Sequence, residues 1–146
     1  MNWTEETLRP VIAQILAELG QGCESYKERD PSGVLLVHTD RVKCQSFEGR
    51  QDVRVRDVTT LSEAPRMAAG VMEVEGTRFP WTLSYDEYDL VLSGTLEIRV
   101  GERTYTGHPG DLFYIPKGSS ISFCSPDKAR YVYVTYPADW QGQEKS

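Results

Sequence analysis

Apolar residues recur every three to four positions at the start of this chain and every second position after Gly33. Leu8, Val11, Ile12, Ile15, Leu16 and Leu19 fall at i, i+3, i+4, i+7, i+8 and i+11, one stripe of a helix. The spacing predicts an amphipathic helix within residues 1–20, with Pro10 at its first helical position and Gly20 as its stop. The regular part spans roughly ten residues, and isolated helices below about 12–15 residues are marginal in water, so this one is expected to dock on something.

Residues 21–33 are polar, end in Asp30-Pro31-Ser32-Gly33, and read as a linker. The alternating pattern then predicts strands at Val34–His38, Val42–Phe47, Asp52–Val58, Ala68–Glu75, Trp81–Tyr85, Glu87–Ser93, Thr95–Val100, Arg103–Thr106, Asp111–Ile115, Ser120–Cys124 and Arg130–Tyr136. So many short strands with turn residues between them and no helical pattern predict an all-β barrel or sandwich over 34–140. Residues 141–146 read as a frayed tail.

The most informative stretch is FPWTLSYDEYDLVLSGTLEIRVGERTYTGHPGDLFYIP, from Phe79 to Pro116. On a regular strand, Tyr85, Glu87 and Asp89 share one face while Tyr88, Leu90 and Leu92 share the other. Two carboxylates and a phenol therefore face either the inside of a barrel or bulk water, and the function turns on which.

Charge narrows the partners. A formal charge of -6 and a pI near 4.9 argue against a nucleic-acid or anionic-membrane surface, which needs a basic patch. Arg50, Arg54 and Arg56 form a local basic cluster, read as a solvated strand edge that discourages edge pairing. No stretch is apolar and long enough to span a bilayer or form a signal-peptide core, and Cys23, Cys44 and Cys124 lack CxxC spacing. These features fit reduced thiols in a cytoplasmic protein.

Two local patterns resemble the cupin motifs. Glu87-Tyr-Asp-Leu-Val-Leu-Ser-Gly94 places a glutamate seven residues before a glycine, and Gly110-Asp-Leu-Phe-Tyr-Ile-Pro116-Lys-Gly118 has the form G-x5-P-x-G. The resemblance implies a cupin-type jelly-roll barrel whose mouth holds a metal or small ligand. Where metal-binding cupins carry two histidines before the glutamate, this chain has Trp81 and Leu83, and Ile121 replaces the histidine of the second motif. Only Glu87 of the four usual ligands remains, so no histidine-ligated transition metal is expected.

Met67-Ala-Ala-Gly-Val-Met72, Phe79-Pro-Trp-Thr-Leu-Ser-Tyr-Asp-Glu-Tyr-Asp89, Ile115-Pro-Lys-Gly-Ser-Ser-Ile121 and Tyr133-Val-Thr-Tyr-Pro-Ala-Asp-Trp140 resemble the ethanolamine utilization protein EutQ family. That resemblance implies association with bacterial microcompartments that degrade ethanolamine, and acetate kinase activity. Longer family members carry a further N-terminal region ahead of the helix that this chain lacks.

Phosphoryl transfer to acetate needs no general base, because acetate is already a carboxylate; it needs positioning and neutralisation of phosphate charge. Tyr85, Glu87 and Asp89 are the candidate catalytic trio. Glu87 and Asp89 could hold Mg2+, a hard ion satisfied by one or two carboxylates plus substrate oxygens. Phe79 and Trp81 could stack on the adenine of ATP, and Lys117 could supply positive charge at the rim. Core packing is the competing role for Phe79 and Trp81, a bulged and solvated stretch for Asp89, and plain exposure for Lys117. No Walker-type loop is present.

A non-catalytic alternative is a barrel that binds a small carboxylate metabolite or serves as a compartment assembly protein. In that reading Leu8, Val11, Ile12, Ile15, Leu16 and Leu19 dock on a shell protein, against packing on the chain's own barrel or on a partner's. A homodimer is expected, since such barrels commonly pair through their sheets. Isomerase chemistry would need His38 or His108 at the barrel mouth and ranks below both.

Overall fold

A computed structural model describes residues 26–139, and the chain divides after Arg41 into two compact units. In the first, β1 (Lys27–Arg29) and β2 (Leu35–Val37) form an antiparallel hairpin with Lys27 opposite Val37. The Asp30-Pro31-Ser32-Gly33 turn closes it: the Ser32 amide donates to Asp30 Oδ2 at 2.8 Å and the Gly33 amide to the Asp30 carbonyl at 2.9 Å. The linker expected over 21–33 therefore contains a strand, because its turn residues serve a hairpin. A single 3-10 turn, Thr39–Arg41, follows. The N-terminal stripe from Leu8 to Leu19 and the tail at 141–146 lie outside the described residues.

The second unit carries β3 (Gln45–Phe47), β4 (Arg50–Asp57), β5 (Ala68–Thr82), β6 (Asp86–Ser93), β7 (Leu96–Val100), β8 (Arg103–Gly107), β9 (Leu112–Ile115) and β10 (Ser120–Tyr136). All pairs are antiparallel, in the order β3-β4-β5-β10-β6-β9, and the first half of β10 pairs with β7, which pairs with β8. The long β10 thus belongs to both layers of the cupin-type jelly roll, joining β6 at one end and β7 at the other.

Two pairs of expected strands are in fact continuous. β5 runs through Gly76 at φ 55°, and β10 absorbs Pro126 as a register shift between Ser125 and Lys128. The expected strand Trp81–Tyr85 ends at Thr82, leaving Tyr85 in a bend before β6. The arginine cluster is not a solvated edge, since β4 lies between β3 and β5. Arg54 Nε donates to Glu73 at 2.8 Å, its Nη2 to Glu75 at 2.9 Å, and Arg130 grips the other Glu73 oxygen.

The core holds Val53, Val71, Val74, Leu83, Val91, Leu96, Phe123 and Tyr131, all buried. Gly94, which closes the first motif, sits at φ 73°, and a Cβ there would come within 1.8 Å of the Lys128 carbonyl oxygen. On the outer face, Tyr88 and Tyr114 meet across β6 and β9 with ring centroids 5.0 Å apart, beside the exposed pair Leu90 and Leu112. Among the described residues no helix is long and apolar enough to cross a membrane.

Candidate functional site

Alternation along β6 points Glu87, Asp89 and Val91 into the barrel and leaves Tyr88 and Leu90 exposed. Glu87 stands opposite Thr135 of β10 and Ile115 of β9, and Asp89 opposite Tyr133 and Phe113. The carboxylates therefore face the interior: Glu87 is 5% exposed and Asp89 0%. Tyr85 shares that side although it precedes the strand, being 2% exposed, and its hydroxyl accepts a 2.6 Å hydrogen bond from Trp81 Nε1.

A cavity opens against these residues. Its apolar walls include Phe47, Phe79, Trp81 and Phe123, and its polar ones are Tyr85, Glu87 and Tyr133. Phe79 stacks on Trp81 with centroids 5.3 Å apart, while Phe47 meets both edge-on at 5.7 and 5.6 Å. About 20 Å3 is open to the centre of a water molecule, and all the space between the walls, mouth included, is about 340 Å3. The closed part holds about one water molecule, so a ligand of a few atoms would occupy the open mouth as well.

The polar groups here are under-satisfied. Neither oxygen of Asp89 has a hydrogen-bond partner among the described residues, nor do the hydroxyls of Tyr131 and Ser84. The carboxyl beside Asp89 is that of Glu87, in a contact too loose to count as a formed hydrogen bond. Burial pushes the Glu87 carboxyl up to about 7, with the Asp89 contact pulling the other way. Burial also raises Asp89 well above the usual carboxylate range, and the adjacent Glu87 charge adds to the effect. The pair therefore holds a proton near neutrality.

Tyr133 completes the wall. Its hydroxyl donates to Asp57, and its ring lies against Gly70, where a Cβ would come within 2.1 Å of the phenol oxygen and 2.6 Å of the Arg56 carbonyl. Tyr131, Tyr133 and Thr135 alternate along the last strand, which puts all three on its inner face.

Of the residues singled out from sequence, Phe79, Trp81, Tyr85 and Glu87 line one cavity, with Asp89 directly behind. Lys117 does not join them: it sits exposed on the β9–β10 turn, where its amide donates to Asp86 Oδ1 at 2.8 Å. Among the described residues the cavity walls carry no histidine. Cys44 donates to the Val71 carbonyl at 3.4 Å, and burial pushes its thiol up to about 11, far from a reactive thiolate.

Hard-cation chemistry fits in part. Glu87 and Asp89 offer oxygen donors, two of them orphaned, but among the described residues no three His, Cys, Asp or Glu side chains gather as a metal cluster. That donor set suits an ion shared with substrate oxygens rather than one caged by protein.

Comparison with known proteins agrees with this barrel. The sequence model of ethanolamine utilisation protein EutQ matches residues 2–142. A relative from Clostridioides difficile named acetate kinase EutQ is 39% identical over 149 residues, covering 97% of this chain and 94% of its own. One of the same name from Salmonella typhimurium is 42% identical over 148 residues, and this chain spans 65% of its length. The solved structure of the Clostridium difficile EutQ protein, 44% identical, superposes with a TM-score of 0.74 over 80% of this chain and 90% of that one. The chain belongs to the EutQ family of ethanolamine utilisation proteins.

Proposed function

We propose that this chain is an ATP-dependent acetate kinase, converting acetate and ATP to acetyl phosphate and ADP. The observation that carries the reading is the inward Glu87–Asp89 pair at a small aromatic cavity, in a chain whose relatives bear the name acetate kinase. Acetate enters the cavity with its methyl against Phe79 and Trp81. The adenosine of ATP is too large for the space and lies outside the walls, so only the γ-phosphate approaches the mouth. An acetate oxygen attacks the γ-phosphorus, the bond to the bridging β-phosphate oxygen breaks, and ADP leaves with that electron pair.

The chain's own residues do the positioning. The shared proton stays on the deeper Asp89, so Glu87 faces the cavity as a carboxylate, while Tyr85, fixed by Trp81, donates to an acetate oxygen. The aromatic walls exclude water that would otherwise intercept the phosphoryl group. Glu87 would hold Mg2+, with Asp89 joining it once its proton is displaced, and the ion when bound would neutralise phosphate charge.

The setting we propose is a bacterial microcompartment for ethanolamine breakdown, with the chain as a homodimer; a solution mass of one chain would contradict the dimer. The activity is tested by incubating the purified chain with ATP, Mg2+ and acetate and trapping acetyl phosphate as its hydroxamate. Product that depends on acetate supports the reading, and ATP consumption indifferent to acetate would overturn it.

A further inference from the structure

None of the nine side chains lining the cavity is a cation, and one of them, Glu87, is an acid. A substrate oxyanion entering it needs positive charge from elsewhere. Arg50 is placed to supply this. Its guanidinium carbon lies 5.2 Å from the centroid of the Phe79 ring, one of the cavity's walls.

The backbone explains why it points there. Strict alternation from the inward Val53 would turn Arg50 outward with Arg54 and Arg56. A register shift in the β3–β4 hairpin instead pairs Arg50 directly with Phe47, another wall residue, so the two side chains emerge on the same face. The guanidinium is held before any ligand arrives. Nε donates to Asp52 Oδ1 at 2.9 Å, and Nη2 donates to Asp52 Oδ2 at 3.0 Å and to Thr77 Oγ1 at 3.1 Å. Of the five N–H groups of an arginine, three are used, and both on Nη1 have no hydrogen-bond partner among the described residues.

We infer that Arg50 is the oxyanion anchor of this site, presenting Nη1 to a carboxylate or phosphoryl oxygen at the aromatic mouth, the role that the sequence suggested for Lys117. This rests on the cavity being the substrate site of the proposed kinase. A guanidinium fixed by a bidentate carboxylate and over an aromatic ring loses little freedom on binding, which favours a specific anchor over a mobile surface charge.

The test compares Arg50→Gln and Arg50→Lys with wild type and with Arg103→Gln, a change at an exposed residue of β8. Acetate and inorganic phosphate are titrated separately by calorimetry, and KM and kcat are measured for acetate and for ATP. A charge-assisted hydrogen bond lost from a partly exposed mouth corresponds to a weakening of roughly tenfold. We expect Arg50→Gln to raise the dissociation constant and KM of at least one oxyanion by that factor with kcat changed less, Arg50→Lys to recover part of it, and Arg103→Gln to change nothing. Weakening for acetate alone assigns the anchor to the carboxylate, and for phosphate and ATP alone to the phosphoryl group. Unchanged affinity for both, or a loss matched by a fall in melting temperature, would overturn the inference. If wild type binds acetate or phosphate but forms no acetyl phosphate, the kinase reading fails while calorimetry still decides the anchor; if wild type binds neither, the anchor fails as well.

Discussion

Glu87 and Asp89 occupy consecutive inward positions of β6, 5% and 0% exposed, and no described cation pairs with either. Three nearby cations are paired elsewhere, Arg54 and Arg130 with Glu73 and Arg50 with Asp52. Burying unpaired carboxylates raises their proton affinity, and this gives the barrel a pH dependence opposite in sign to that of salt-bridged acids.

The sign follows from proton counts. Between the unfolded value, about 4.5, and the folded value of about 7, the native state holds more protons than the unfolded one, so stability falls as pH rises through this window. The loss is on the order of 3 kcal/mol for Glu87 and is complete above the folded value. Melting temperature should therefore drop between pH 5 and pH 8 in wild type and much less in Glu87→Gln. Equal slopes in the two proteins would mean that Glu87 is not the proton holder.

Tyr133 is kept over Gly70, where a side chain would displace it. Gly70→Ala should push the phenol off Asp57, destabilise the fold by about 1–3 kcal/mol and lower activity, because Tyr133 is a cavity wall. Tyr133→Phe removes the hydroxyl but keeps the ring, and should cost less stability than Gly70→Ala. Denaturant unfolding of both variants checks the order.

Gly94 makes a purely structural prediction. Its positive φ and the approach of the Lys128 carbonyl leave no room for a Cβ, so Gly94→Ala should destabilise by about 2 kcal/mol or more without a specific effect on substrate KM. A KM change with no change in unfolding midpoint would contradict that assignment.

Trp81 and Tyr85 form the hydrogen bond nearest the proposed acetate position. Trp81→Phe keeps an aromatic wall but removes the donor, and should raise the KM for acetate severalfold while leaving that for ATP nearly unchanged. Comparable rises in both would mean that the pair does not read the small substrate.

Much of this was legible in the sequence for a local reason. The alternation from Tyr85 to Leu92 carries its own face assignment, and the spacing of Glu87, Gly94, Gly110 and Gly118 fixes two turns and two strands together. What was not legible depends on registers that alternation cannot supply. Arg50 turns onto the Phe79 ring because of a shift in the β3–β4 pairing, and β10 is one strand because a bulge accommodates Pro126. Lys117 looked suited to the rim because it follows the second motif, but a turn residue's direction is set by tertiary contacts, here its amide on Asp86.

In this proposal phosphoryl transfer occurs at the buried carboxylate pair inside the barrel. The most direct test is the rate of acetyl phosphate formation by Glu87→Gln beside wild type, with melting temperatures of both measured in the same buffer at pH 8. The variant should fold, be at least as stable as wild type, and have a kcat lower by a hundredfold or more, the scale on which losing one positioned catalytic group acts. A stable variant that forms acetyl phosphate at the wild-type rate would contradict it and place the chemistry away from this cavity.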